Sequence, residues 1–255
     1  REQALREFGC DPDKLAESMY KPGSIATFLE LHIEQGPVLD QANEPIGVVS
    51  GISGPLWLTV KLKGFAGHAG SVPMAIRRDA LVGAAEIITS LNQIVRQDPT
   101  APTVGTVGSV RVFPDSRNII PEEVEFTIDL RDIDLERRNE YEAQLRDLIA
   151  AISEKHGLSC TIIEDVNSEP RYCAGWIKEL LHEECRSNGF EARELMSGPF
   201  HDSLAMSYVC DYGMIFVRSK DGISHNPKEY SSYEDLALGT EVLYGTVLKI
   251  ITKNK

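Results

Sequence analysis

The stretch from Leu56 to Ile163 changes its hydrophobic period in a set order, and that order constrains the fold more than any other feature. Leu56, Leu58, Val60 and Leu62 alternate with a period of two, as in a half-buried strand. After a glycine-rich turn at 64–70, residues 73–95 take a helical period through Ala80, Ala84, Ile87, Ile88, Leu91 and Val95, with Pro73 suited to a first helical turn. Residues 103–113 alternate as a second strand, and 118–132 as a third with Val124, Phe126, Ile128 and Leu130 on one face. Residues 135–156 return to the helical period through Tyr141, Leu145, Leu148, Ile149 and Ile152, closed by Gly157, and 160–163 read as a fourth strand. The order β-α-β-β-α-β makes an antiparallel sheet with two helices on one face. It predicts a domain at 51–166.

The flanks read as one α/β domain into which this one is inserted. Residues 1–26 begin as a helix around Ala4, Leu5 and Phe8 and pass into loops. A strand with Phe28, Leu29, Leu31 and Ile33 stops at Gly36-Pro37, Val38 begins a short helix, and 46–49 form a short strand before the hinge signals Gly51 and Gly54-Pro55. Beyond Glu169-Pro170, a helix through Trp176, Leu180, Leu181 and Cys185 ends at Asn188-Gly189, and 193–196 form a strand. After a loop at 198–202 comes Met214-Ile215-Phe216-Val217, a continuous apolar run typical of a parallel strand buried on both faces. Residues 220–229 are a loop, and 231–251 a closing helix with Ser231 and Glu234 at capping-box spacing. The fold class is α/β: one domain from 1–50 and 167–255, interrupted by 51–166.

A net charge of −13 disfavours nucleic acid or an anionic membrane surface as partner. No apolar run approaches the roughly 20 residues that span a bilayer, and no secretory signal opens the chain. The five cysteines (Cys10, Cys160, Cys173, Cys185, Cys210) form no CxxC pair, which fits a reducing cytoplasm.

Chemistry in an α/β domain concentrates in loops at strand ends. Of the six histidines, His156 at a helix end and His182 on a helix face read as surface residues, although His182 and Cys185 have a spacing that can bind metal. His68 lies in Gly67-His68-Ala69-Gly70, His201 in Pro199-Phe200-His201-Asp202, and His225 in Ser224-His225-Asn226-Pro227. His32 lies at a strand end in Leu31-His32-Ile33-Glu34-Gln35-Gly36-Pro37, where it is either a packed core residue or an imidazole ligand beside hydrogen-bonding side chains. His32 and His225 at adjacent strand ends fit part of a divalent-metal site, whereas a catalytic zinc takes about three protein ligands plus water. A second set suits an anion: Asn118 donates from a turn, and Arg131 at a strand end either takes a carboxylate bidentately or pairs with Asp129 or Asp132.

Four segments stand in order: 31–37, 64–79 (GFAGHAGSVPMAIRRD), 117–132 (RNIIPEEVEFTIDLRD) and 221–229 (DGISHNPKE). In them the chain resembles, end to end, the amidase/hydantoinase/carbamoylase family of N-carbamoyl-L-amino-acid hydrolases, allantoate amidohydrolases and β-ureidopropionases. That family sits within the dinuclear zinc aminopeptidases and aminoacylases. The resemblance implies the C-terminal part of a metallopeptidase-like α/β catalytic domain, with 51–166 as lid and dimerisation domain of a homodimer. It implies two divalent metal ions (zinc, manganese, cobalt or nickel), with His32 and His225 each a ligand of one. By the same resemblance Gln35 holds the ureido group, and His68 stabilises the oxyanion, often across the dimer. Asn118 and Arg131 bind the substrate carboxylate, Gly222 and Ser224 contact the substrate beside the last ligand, and His201 and Asp202 support the ligands from behind.

The family's His-x-Asp with its bridging Asp, and its Glu-Glu pair of general base and ligand, have no counterpart here. Glu122-Glu123 lies in a lid turn and Glu183-Glu184 on a helix face. Both motifs belong upstream of Arg1, so the expectation is a fragment of a ureido hydrolase. Its substrates would be N-carbamoyl-L-amino acids first and allantoate next, and these 255 residues alone would bind metal weakly and turn nothing over. Gln35 disfavours a peptidase or aminoacylase. The competing reading is a non-catalytic dimerisation module that pairs edge strands between copies. Such a module has no use for His68, Asn118 and Arg131 together with His32 and His225.

Overall fold

The computed structural model describes residues 2–253. In chain order the elements are α1 (Glu2–Glu7), β1 (Thr27–Ile33), α2 (Val38–Ala42), β2 (Ile46–Ile52), β3 (Gly54–Lys63), α3 (Ala80–Ile94), β4 (Val104–Thr106), β5 (Val110–Phe113) and β6 (Glu123–Asp132). Then come α4 (Leu135–Lys155), β7 (Ser159–Asn167), β8 (Arg171–Tyr172), α5 (Gly175–Ser187), β9 (Arg193–Ser197), α6 (Asp202–Met206), β10 (Asp211–Val217) and α7 (Tyr233–Lys253). They form two compact units, one from 1–50, 173–195 and 200–255, the other from 51–172 and 196–199.

In the first unit β1 runs parallel to β10, from Thr27↔Asp211 to Ile33↔Val217, and β10 pairs antiparallel with β2. Ile215 and Val217 of β10, Ile46 and Val48 of β2, Ile177, Leu181 and Cys185 of α5 and Val242 of α7 share one core. Each such aliphatic side chain contributes about 1.5–3 kcal/mol through burial. Because β1 and β10 are parallel neighbours, the turn after Ile33 and the loop after Val217 leave the sheet at the same edge. That edge holds His32, Gln35 and the loop with His225.

The second unit has strand order β4-β6-β3-β7, with β5 also on β6, and every pairing is antiparallel. Leu56, Leu58, Val60 and Leu62 of β3 and Val124, Phe126, Ile128 and Leu130 of β6 pack on Ala84, Ile87 and Leu91 of α3 and on Tyr141, Leu145 and Ile149 of α4. This is the β-α-β-β-α-β order, with three local departures from the periodicity. The helix expected from Pro73 starts at Ala80, because the Asp79 carboxylate accepts the Leu81 and Val82 amides at 3.0 and 3.2 Å and sets the cap there. The strand expected over 103–113 is two strands. From Val104↔Arg131 to Val110↔Phe126, six steps on one side match five on β6, so one extra residue bulges at 107–109. The strand expected from 118 begins at Glu123, since 118–122 bonds the glycine-rich loop instead, through Ala69 N to Asn118 O (2.9 Å) and Ile120 N to Gly67 O (2.8 Å). Among the described residues no helix is long and apolar enough to cross a membrane.

Candidate functional site

His32 occupies the next-to-last position of β1, opposite Phe216. Its Nδ1 lies 2.8 Å from the Ile33 carbonyl, which can only accept, so Nδ1 carries the proton and Nε2 keeps its lone pair. The His201 ring packs edge-on against it, with centroids 4.5 Å apart and planes at 64°. Glu30, on the same strand face as His32, places Oε1 4.0 Å from His201 Nδ1. Its Oε2 accepts from Ser203 N and Oγ at 2.8 and 2.6 Å, closing the start of α6 at Asp202. Burial, with the neighbouring His32 adding to it, holds the His201 pKa below the ordinary imidazole value against the opposing pull of Glu30 and Asp202. His201 is thus a neutral wall behind His32.

Beyond Ile33 the chain turns sharply. The buried Glu34 carboxylate accepts Val38 N (2.8 Å) and Leu39 N (2.9 Å), capping α2 at its positive end. Burial nevertheless raises its pKa. Gln35 is left-handed (φ 57°), a cost the surroundings must enforce in a residue with a side chain. Its N–H donates to Ser219 Oγ at 3.2 Å, and its Nε2 donates to Ser224 Oγ at 3.0 Å and lies 3.5 Å from His225 Nε2. His225 is also left-handed (φ 55°), with its N–H on Glu229 Oε2 at 3.1 Å. Gly222 (φ 67°) admits no side chain, because a Cβ would lie 2.6 Å from Pro37 N. Gln35, Gly222, Ser224 and His225 are therefore one cluster at the sheet edge where β1 delivers His32.

Among the described residues no three His, Cys, Asp or Glu side chains converge as a metal cluster. Of the two imidazoles expected as ligands, His32 has the tautomer that could bind a metal through Nε2. Cys185 is no third donor. It is buried in the first core, and burial pushes its thiol up to about 12, while His182 Nε2 is 3.2 Å from Glu194 Oε1.

In the second unit His68 makes an isolated antiparallel bridge with Ile119. Gly70 N–H donates to its Nδ1 at 3.0 Å, which leaves the proton of the neutral ring on Nε2. The Asn118 backbone is beside it, and Asn118 Oδ1 accepts from Ser116 Oγ at 2.9 Å. Arg131 does pair with Asp129: Nε and Nη2 reach Oδ1 and Oδ2 at 2.8 Å each, and Nη1 donates to Gly198 O at 2.6 Å. Asp132 is taken instead by Arg137, Nε to Oδ2 at 2.7 Å. Arg131 faces Pro55 at one end of the β3–β6 ladder and Glu123 faces Lys63 at the other. The strand between Glu123 and Arg131 spans roughly 25 Å at about 3.3 Å per residue. His68 and Asn118 lie beyond Glu123, so within one copy they are apart from Arg131.

Residues 50–157 match the family described as a peptidase dimerisation domain. The chain is 45% identical to an N-carbamoyl-L-amino-acid amidohydrolase of Pseudomonas sp. (strain NS671), over 98% of this chain and 61% of that protein. It is 40% identical to an N-carbamoyl-L-amino acid amidohydrolase of Geobacillus stearothermophilus, over 97% and 60%. The crystal structure of an amidase of the hydantoinase/carbamoylase family from Burkholderia multivorans matches with a TM-score of 0.86 and 33% identity, over 96% of this chain and 58% of that one. Along nearly its whole length the chain is thus similar to amidases of the hydantoinase/carbamoylase family. It spans about 60% of the length of these relatives.

Two residues of this chain escaped sequence reasoning. Glu30 shares the His32 face of β1 at a spacing of two, which is a readable signal once β1 is known to be a strand. Asp129, which the sequence already offered as a partner of Arg131, stands in the same relation to it on β6. Arg77 carries no such signal, because its partners are carbonyls of a loop.

Proposed function

We propose that the protein carrying this chain hydrolyses the C–N bond of linear ureido compounds, N-carbamoyl-L-amino acids before others, to amino acid, CO2 and ammonia. The observation that carries this reading is the cluster of Gln35, Ser224 and His225 at the edge where β1 presents His32 with Nε2 unprotonated. The names of the relatives at 45% and 40% identity support the substrate class.

His32 and His225 would hold divalent metal together with donors outside this set, and metal there supplies Lewis-acid polarisation of the ureido carbonyl. With Nε2 of Gln35 engaged by Ser224, the amide oxygen accepts from the ureido nitrogen. Arg131, kept side-on by Asp129, takes the carboxylate. Water adds to the carbamoyl carbon, and the Nε2–H of His68 donates to the oxyanion that develops; its collapse breaks the C–NH2 bond, ammonia leaves with a proton given up by the water, and the remaining carbamate decomposes to amino acid and CO2. Since His68 and Asn118 lie at the far end of the ladder from Arg131, a substrate held by Arg131 meets the partner's His68. A homodimer through the 50–157 region fits that requirement.

The test is ammonia release by the complete gene product loaded with zinc, manganese, cobalt or nickel, offered N-carbamoyl-L-methionine, allantoate, N-acetyl-L-methionine and a dipeptide. The carbamoyl substrate should lead, and cleavage of only the acetyl or dipeptide substrate would sink the proposal. A polypeptide of these 255 residues alone should bind metal weakly and release no ammonia.

A further inference from the structure

Between Gly67 and Arg78 the chain folds back on itself, and one side chain ties the fold. Arg77 Nε donates to the Val72 carbonyl at 3.0 Å, and Nη2 donates to the carbonyls of Ala69 and Val72 at 2.6 and 2.9 Å. These carbonyls bracket a tight turn in which Ser71 N and Val72 N return to the His68 carbonyl at 3.0 and 3.1 Å. Inside the turn Gly70 N–H points at His68 Nδ1 (3.0 Å), with Ser71 Oγ at 3.3 Å from the same nitrogen. The fit is close on both sides of the ring's backbone. A Cβ on Gly70 would stand 3.3 Å from His68 Cε1, and one on Gly67 would stand 2.9 Å from Val72 Cγ2.

The turn thus decides which nitrogen of His68 carries the proton. A backbone N–H only donates, so as long as Gly70 stays in place Nδ1 is an acceptor and the neutral ring presents Nε2–H. Without that amide the two neutral tautomers are free to exchange, and the wrong one offers a lone pair where a donor is needed. We infer that Arg77 is a positioning residue for His68: by bridging Ala69 and Val72 it keeps the Gly70 amide on Nδ1 and so fixes Nε2–H as the donor. Two carbonyls held by adjacent edges of a planar guanidinium are a task that a lysine ammonium performs only in part. The inference rests on the reading of His68 as the oxyanion donor, and the experiment separates the two.

Arg77→Ala, Arg77→Lys and His68→Ala are made in the complete, metal-loaded gene product. Steady-state kinetics are measured on N-carbamoyl-L-methionine, and the imidazole 15N shifts of His68 are read by long-range 1H–15N correlation, assigned by the signals that His68→Ala removes. In the unmodified protein His68 should show a single Nε2–H tautomer. Arg77→Ala should lower kcat about 10²-fold, the scale of a misplaced catalytic group, with KM within about threefold, and its His68 shifts should move to a tautomer average. Arg77→Lys should fall between. Should Arg77→Ala fail to fold, Arg77→Lys carries the same comparison. An Arg77 variant with unchanged kcat, or with reduced kcat and an unchanged His68 tautomer, overturns the inference. Full activity in His68→Ala would instead strike the oxyanion role, with the 15N shifts still reporting whether Arg77 holds the tautomer.

Discussion

Gln35 Nε2 donates to Ser224 Oγ at 3.0 Å, joining the turn after β1 to the loop after β10 across 189 residues of sequence. With the nitrogen so engaged, the proposed role of Gln35 leaves its amide oxygen to accept an incoming N–H. Ser224→Ala removes the anchor and leaves the amide to rotate. One neutral hydrogen bond is worth about 1 kcal/mol, so KM for a carbamoyl substrate should rise about fivefold with kcat within about twofold. A KM equal to that of the unmodified enzyme would show that Ser224 does not orient Gln35.

Arg131 gives one full edge of its guanidinium to Asp129, so its plane is fixed before any substrate arrives. Arg131→Lys keeps the charge and loses the planar fork. It should lower kcat/KM about 10- to 100-fold for substrates with a carboxylate, in line with about 1.5–3 kcal/mol for a charged hydrogen bond. Asp129→Asn keeps the guanidinium but loosens its orientation and should cost about tenfold. A carbamoyl amine lacking the carboxylate is the control. Its slow turnover should be the same in all three proteins, and a parallel loss there would mean general damage rather than loss of carboxylate recognition.

The alternation of Leu56 to Leu62 and of Val124 to Leu130 was legible because each strand buries one face against α3 and α4. The bulge at 107–109 was not, because adding one residue leaves the hydrophobic pattern on either side intact. The start of α3 was misjudged for a local reason: Pro73 and Asp79 are both good starting residues, and only the hydrogen bonds of Asp79 decide between them. Sequence patterning placed His32 at the end of a strand and His225 in a loop, and the parallel pairing of β1 with β10 accounts for the two strands ending at one edge. The resemblance grouped Asn118 with Arg131, but sequence order cannot show that β6 separates them. Nor could sequence reveal that Glu34 turns back to cap α2, since that depends on the left-handed Gln35 that follows it.

Asp132 is fully buried between Arg137 and Thr103, with the Asp134 amide on Oδ1 at 2.9 Å. Burial works to raise its pKa, yet the bonds from Arg137, Thr103 and Asp134 outweigh it and hold the carboxyl below the ordinary 3.8. Between the folded and unfolded values the unfolded chain binds more protons, so this stabilisation is complete above the ordinary value and lost as pH falls through the folded one. Asp132→Asn should therefore cost about 3 kcal/mol at pH 7, the scale for breaking a buried pair, and less below about pH 4. Urea denaturation at both pH values checks this. A cost independent of pH would mean that the aspartate charge contributes nothing.

Arg131 and His68 can be separated genetically because the β3–β6 ladder separates them physically. Arg131 pairs with Pro55 at one end, Glu123 with Lys63 at the other, and His68 bridges Ile119 beyond it. If one substrate needs both, each site takes Arg131 from one copy and His68 from the other. Arg131→Ala and His68→Ala should each be nearly inactive alone. Co-expressed in equal amounts, half of the dimers are mixed, and in each of these one site receives both intact residues while the other receives both substitutions. Recovered activity should thus be about a quarter of that of the unmodified enzyme, as a closed two-fold dimer requires. If each copy instead used its own His68, every site in the mixture would carry one substitution, and activity would not exceed the average of the two variants. A purified mixed dimer, with a different affinity tag on each copy, should reach about half of the unmodified activity, one site of two. That titration distinguishes a shared site from partial activity in either variant.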